Sequence, residues 1–170
     1  FTYKNIYNQD RSSLGKGIIR WLATDGGRLK ERKNPHETQK LVVQVSNVEA
    51  CFGSHIELVG DACTEFWTPD VPSCWFSIRF LGGLTVKPTS YALRHGRKST
   101  NHPYYLRNWE FQGSTDGQNW HSLKQHQDDH SLNSPFGVCC WSLGDVEQEY
   151  SYFRILQTGH NSSSRNYLAV

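Results

Sequence analysis

The sequence predicts an all-β sandwich or barrel. Three observations carry that expectation: the apolar runs are short, turn chemistry recurs between them, and no stretch sustains a convincing helical period. The β-like runs are 17–23, 40–45, 74–81, 85–94, 106–113, 119–123, 137–143, 150–157 and a last one that starts at Tyr167. The first leads into Asp25-Gly26, a tight-turn pair, and the charged segment 28–33 after it reads as a solvated loop. Between the second and third runs, only 47–61 has room for a short helical turn. In the third, Trp75, Ser77 and Arg79 oppose Phe76, Ile78 and Phe80, so the latter set is expected to face the core. The fifth alternates Trp109, Phe111 and Gly113 with Glu110, Gln112 and Ser114, the pattern of a half-buried antiparallel strand. Asp116-Gly117 sits between apolar runs as a hairpin turn should. In the eighth, Phe153 and Ile155 alternate with Tyr152, Arg154 and Leu156.

A chain of 170 residues with 36% hydrophobic content describes one domain with a sizeable core. Its net charge of +2 supplies no general field for nucleic acid or an acidic membrane, so any electrostatic recognition is local. Eight histidines are scattered, which does not favour a pH switch. No apolar run approaches the length of a membrane span. The chain contains no methionine and starts at Phe1, which reads as a fragment or processed form. Because the last run stops at Val170 with no turn after it, the sandwich, placed over 17–170, is expected to be truncated in its last strand; residues 1–16 form an extension of unplaced role. Cys51, Cys63, Cys74, Cys139 and Cys140 form no CxxC pair, and an odd number at irregular spacing favours free thiols in a reducing, intracellular compartment. The glycosylation triplet Asn161-Ser162-Ser163 weighs little against that.

Four segments stand in order along the chain: Gly60-Asp61-Ala62-Cys63-Thr64-Glu65-Phe66-Trp67, the strand 72–80, the hairpin Ser114-Thr115-Asp116-Gly117-Gln118-Asn119-Trp120, and Tyr152-Phe153-Arg154-Ile155. Together they resemble the discoidin-like, or galactose-binding-like, β-sandwich superfamily, which includes coagulation-factor C domains and the DOC domain of the anaphase-promoting complex. A narrower likeness rests on Tyr91-Ala92-Leu93-Arg94-His95-Gly96, Leu106-Arg107-Asn108-Trp109 and His126-Gln127-Asp128-Asp129. These are similar to the intracellular branch found as accessory domains in HECT-type and other ubiquitin ligases and in BTB-domain adaptors. The resemblance implies an antiparallel jelly roll of about eight main strands whose loops at one end bind a sugar, a lipid headgroup or a peptide; fold alone does not choose among them.

The candidate site follows from the loop 94–108, which carries Arg94, His95, Arg97, Lys98, His102, Tyr104, Tyr105 and Arg107 between two apolar runs. Guanidinium forks beside aromatic rings suit carboxylate or phosphate groups and extended peptides. The alternative is that Arg94 and Arg107 pair with Asp128 and Asp129 and hold the loop shut. Phe52, Ser54 and His55, with the rim of His126, Asp128, Asp129 and His160, complete the expected contact surface. The cluster around His126 and His130 is too local to establish a zinc site, and no cofactor is expected. A weak calcium site at Asp61 and Glu65 is the metal alternative that the resemblance raises. Tryptophans 67, 109 and 120 read as packing for the sandwich ends, and Trp21, Trp75 and Trp141 as strand residues. Lipid insertion is not expected, because Phe52 is the one apolar wedge at a loop tip. Cys51 with His55, or Ser99 with His95, lacks the strained elbow and the third orienting group of a nucleophilic site, so no enzyme is expected. The expected function is non-catalytic recognition of a protein or peptide by a monomeric piece of a larger multidomain, ubiquitin-ligase-type protein. A carbohydrate-binding module and an inter-domain packing module are the alternatives.

Overall fold

The computed structural model describes residues 17–60, 62 and 64–170; the extension 1–16, the carboxylate of the calcium alternative, Asp61, and the thiol of Cys63 lie outside them. Among the described residues one α-helix, α1 (Ile18–Ala23), precedes seven strands: β1 (Leu41–Val45), β2 (Trp75–Phe80), β3 (Ser90–Arg94), β4 (Trp109–Ser114), β5 (His121–His126), β6 (Val138–Ser142) and β7 (Tyr152–Gln157). A five-stranded sheet runs in the order β1-β2-β7-β4-β5, and β3 with β6 forms a second sheet of two strands. All pairings are antiparallel. This is the expected sandwich, with its second layer narrow.

The strand expected over 17–23 is instead α1. Short apolar runs read alike as buried strand or buried helix. Helical winding brings Ile18 and Leu22 to one side, where they pack on the core, and the turn closes with Gly26 N–H donating to the Trp21 carbonyl at 2.8 Å. Gly26 can take φ of 73° there, and its bare α-carbon faces the Trp21 ring. The run 85–94 also divides. Pro88 donates no ladder bond, so Val86 makes an isolated bridge to Tyr150 and β3 starts only at Ser90. The last run forms no strand: Thr68 N–H donates to the Leu168 carbonyl, Leu168 N–H donates to Thr68 Oγ1, and Leu168, Ala169 and Val170 are buried. Short 3-10 turns at Val48–Ala50 and His55–Val59 fill the expected helical stretch.

The faces follow the alternation read from the sequence. Leu41, Val43, Phe80, Phe111, Phe153 and Ile155 of the large sheet meet Tyr91, Leu93 and Trp141 of the small one. A two-strand layer cannot cover five strands. An apolar cleft of about 400 Å³ remains between the sheets, with Phe76 and Ile78 in its wall. The β4–β5 register shifts between Phe111 and Gln112, leaving Leu123 of β5 as the extra residue; Gln112 keeps the face of Glu110 and is buried there, its Oε1 accepting Arg154 Nε at 2.7 Å.

Candidate functional site

Aromatic and guanidinium planes from four loops stack into a ladder at one end of the sandwich. Phe52 lies on Trp67 with centroids 3.8 Å apart and planes 8° from parallel. The Arg97 guanidinium sits 4.4 Å from the Trp67 centroid on one side and 4.5 Å from that of Tyr104 on the other. Tyr104 stacks on Tyr167 at 4.4 Å. The order is therefore Phe52, Trp67, Arg97, Tyr104, Tyr167.

Local backbone chemistry sets each rung. Phe52 and Trp67 exchange both backbone hydrogen bonds, and Gly53 makes that approach possible, since at φ of 82° a Cβ there would lie 2.2 Å from the Glu65 carbonyl oxygen. Gly96, wedged against the Val170 and Phe66 carbonyls, delivers Arg97, and the Lys98 N–H donates to Glu65 Oε1. Tyr104 adopts a left-handed φ of 53°. Tyr167 is placed by Asn161, whose Nδ2 donates to the Tyr167 carbonyl while its Oδ1 accepts from Ser163 and Arg165. Arg97 Nε has no hydrogen-bond partner, so ring faces hold the cation and its affinity for them is electrostatic. Phe52 is 52% exposed, and Lys98 and His102 are exposed beside the ladder.

Three of the expected contact residues lie inside the domain. His95 is fully buried, its Nδ1–H donating to the Ala169 carbonyl and its ring against Tyr105. Burial holds its pKa down at about 4, with Arg97 and Arg107 adding to the fall. Arg107 is buried and donates to the carbonyls of Leu106, Asp129 and Leu132 and to Asn133 Oδ1. It thus grips the 129–133 segment, in place of both the expected contact role and the alternative pairing with the Asp128 or Asp129 carboxylate. Arg94 likewise departs from that pairing, donating from Nη2 to the Ala62 carbonyl at 2.7 Å. His126 stacks on Trp109 at 3.9 Å within a directed chain: Trp109 Nε1–H to Tyr91 oxygen, Tyr91 O–H to His126 Nε2, and His126 Nδ1–H to Asp129 Oδ2. The Asp129 and Tyr91 bonds fix the histidine tautomer. Burial pushes the Tyr91 hydroxyl up and the His126 pKa down, so this chain rivets the end of the core and offers no reachable nucleophile.

The remaining candidates lie on the rim. Asn108 was not expected as a contact residue, yet its Nδ2 donates to the His160 carbonyl and its Oδ1 accepts the Asp128 N–H. It draws the exposed His160 and Asp128 together, and Asp128 reaches His130 at 3.1 Å. Tyr105 exchanges hydrogen bonds with Ser162, joining the same loops. Ser54 opens the 3-10 turn that carries His55 toward His36, and burial with His36 nearby lowers the His55 pKa. The Cys51 thiol, raised by burial, donates to backbone carbonyls and is no activated nucleophile. Trp67 and Tyr167 escaped the sequence reading, the first because it read as packing. The signal that would have found them is their pairing in space with residues of other loops, which spacing along the chain does not carry. Trp21 belongs to α1, not to a strand.

Among the described residues, no group of three or more His, Cys, Asp or Glu could hold a metal ion, Cys51, Cys74, Cys139 and Cys140 are free, and no helix is long and apolar enough to cross a membrane. No protein-family profile matches the chain. Its sequence is 32% identical over 154 residues to the E3 ubiquitin-protein ligase hecd-1 of Caenorhabditis elegans, covering 89% of this chain and 6% of that protein. It is 37% identical over 107 residues to the E3 ubiquitin-protein ligase Ufd4 of Drosophila melanogaster, covering 61% of this chain and 4% of that protein. The chain therefore spans a small fraction of the curated relatives it matches. Among solved structures it is similar to CpGH89CBM32-5 from Clostridium perfringens, in complex with GalNAc-β-1,3-galactose, with a TM-score of 0.55 at 9% identity over 76% of this chain and 91% of that one. The chain thus has a discoidin-like, galactose-binding-like β-sandwich fold, in a sequence that resembles a segment of E3 ubiquitin-protein ligases.

Proposed function

We propose that this domain is a non-catalytic recognition module that holds a protein or peptide partner on its loop end, as a substrate-recruiting or scaffolding part of a ubiquitin-ligase-type protein in the cytoplasm. The ladder from Phe52 to Tyr167 is the observation that carries this reading. A surface whose cation and rings are already stacked loses little conformational entropy when a partner arrives, and its Arg, Trp and Tyr are the residue types that dominate binding energy at protein interfaces. Phe52, Lys98 and His102 make direct contact in this reading, while Arg107 and His126 keep the loops in shape. The sequence relatives support the ligase context.

Arg97→Glu combined with Phe52→Ala tests it. Proximity labelling in cells is expected to lose a defined set of proteins relative to wild type, with circular dichroism unchanged. An identical set of neighbours in both would sink the proposal. A glycan reading is favoured by one specific observation, the disaccharide named with the similar Clostridium perfringens module, since an exposed ring such as Phe52 suits a sugar face. Saturable binding of GalNAc-β-1,3-galactose, abolished by Phe52→Ala, would replace the peptide reading with that one.

A further inference from the structure

Thr100 stands at the tip of the loop that delivers Arg97. The segment 99–102 is a turn closed by His102 N–H donating to Ser99 Oγ at 3.4 Å, and Lys98, Thr100, Asn101 and His102 are exposed around it. Ser99 is half-buried and its hydroxyl is engaged in that bond, so Thr100 is the exposed hydroxyl of the pair. Arg97 and Lys98 precede Thr100 by three and two residues. Two cations at those places before a hydroxyl are a charge pattern that suits an arginine-directed protein kinase, whose peptide groove is lined with carboxylates.

The side chain that such a kinase reads is also the middle rung of the ladder. Arg97 lies 4.4 Å from the Trp67 centroid and 4.5 Å from that of Tyr104, its Nε has no hydrogen-bond partner, and among the described residues no carboxylate pairs with it. Ring faces attract a guanidinium through their quadrupole alone, whereas a phosphate meets the same fork with two parallel hydrogen bonds and full opposite charge. Three residues of chain span at most about 11 Å, a gap that an arginine and a phosphothreonine side chain close from its two ends. We propose that Thr100 is a phosphorylation site that unmakes the ladder: its phosphate draws the Arg97 guanidinium out from between Trp67 and Tyr104. In the transfer, Thr100 Oγ1 bonds to the γ-phosphorus of Mg-ATP, the bond from that phosphorus to the β,γ-bridging oxygen breaks, ADP leaves, and the hydroxyl proton passes to the carboxylate base of the kinase. The product carries a charge of roughly −1.5 to −2 where the hydroxyl carried none. Loss of a partner from the loop end on phosphorylation rests on the recognition reading above; the modification and the departure of Arg97 do not.

The test uses the 170-residue chain, Mg-ATP and the catalytic subunit of cAMP-dependent protein kinase, an enzyme of the arginine-directed class. Mass spectrometry is expected to place phosphate on Thr100 of the folded chain. Thr100→Val is expected to lose it, and Arg97→Gln to slow its entry about tenfold. The Arg97 Nε–H proton resonance, identified by its absence in Arg97→Gln, is expected upfield of the ordinary arginine range in the unmodified chain, because two ring faces shield it. Phosphorylation is expected to move it downfield while far-UV circular dichroism stays unchanged. Phosphate that enters elsewhere and not at Thr100, or at Thr100 only after unfolding in urea, would overturn the inference. So would a chain phosphorylated at Thr100 whose Arg97 resonance stays upfield. These readouts involve no partner, so their failure is distinct from an unchanged set of neighbours in the proximity-labelling test of the recognition reading.

Discussion

Arg107 shows how a residue that reads as a binding cation can be consumed by the fold. Its guanidinium donates to three backbone carbonyls and one side-chain amide oxygen, so the 129–133 loop borrows its shape from a side chain more than twenty residues away. Arg107→Ala strands those acceptors in a buried setting. The expected cost is about 3 kcal/mol in urea unfolding, and Arg107→Lys should recover part of it, because an ammonium keeps the charge but not the fork. The sequence could announce a cation at this position but not its direction. Arg97, ten residues earlier in the same loop, meets two ring faces instead, and nothing in local spacing separates the two cases. His95 and His126 were misread in the same way, since a polar residue in a loop-like segment carries no mark of the core that closes over it.

Among the elements, the strands were legible and the helix was not. Alternation located β2, β4 and β7 because one face of each is buried and a period of two survives in the sequence. The six residues of α1 are too few for a period of 3.6 to declare itself. The narrowness of the second sheet was also invisible, since a sequence names strands and leaves their partners unstated. Loop elements offer a sharper test of the ladder. Gly53→Ala drives a Cβ into the Glu65 carbonyl at a positive φ, whereas Gly27→Ala meets nothing within 4 Å at a φ of 89°. Both pay the conformational cost, and only the first pays the collision. Gly53→Ala should lower stability by about 2 kcal/mol and red-shift tryptophan emission as Phe52 lifts from Trp67; Gly27→Ala should cost less and leave the emission alone.

For the whole molecule, buried histidines set the acid limit. The folded pKa of His95, about 4, lies below its unfolded value, so the unfolded chain takes up the proton first and stability falls as pH drops from about 6.5 toward 4. His126 is shifted in the same direction. The His95 share is about 3 kcal/mol between pH 7 and pH 4, and His95→Gln should flatten the difference in urea midpoints by that amount; parallel profiles for wild type and variant would show that His95 does not govern it. Much of the architecture was readable from four sequence boxes, because turn and strand chemistry is local. The ladder was not, because its five planes come from segments that meet only after folding. The Asn161 amide carries one more implication. Its nitrogen is already committed to the Tyr167 carbonyl, so an oligosaccharide-transferring enzyme reaching the folded surface would find no accessible acceptor, and attaching a sugar would require first dismantling the support under the last rung.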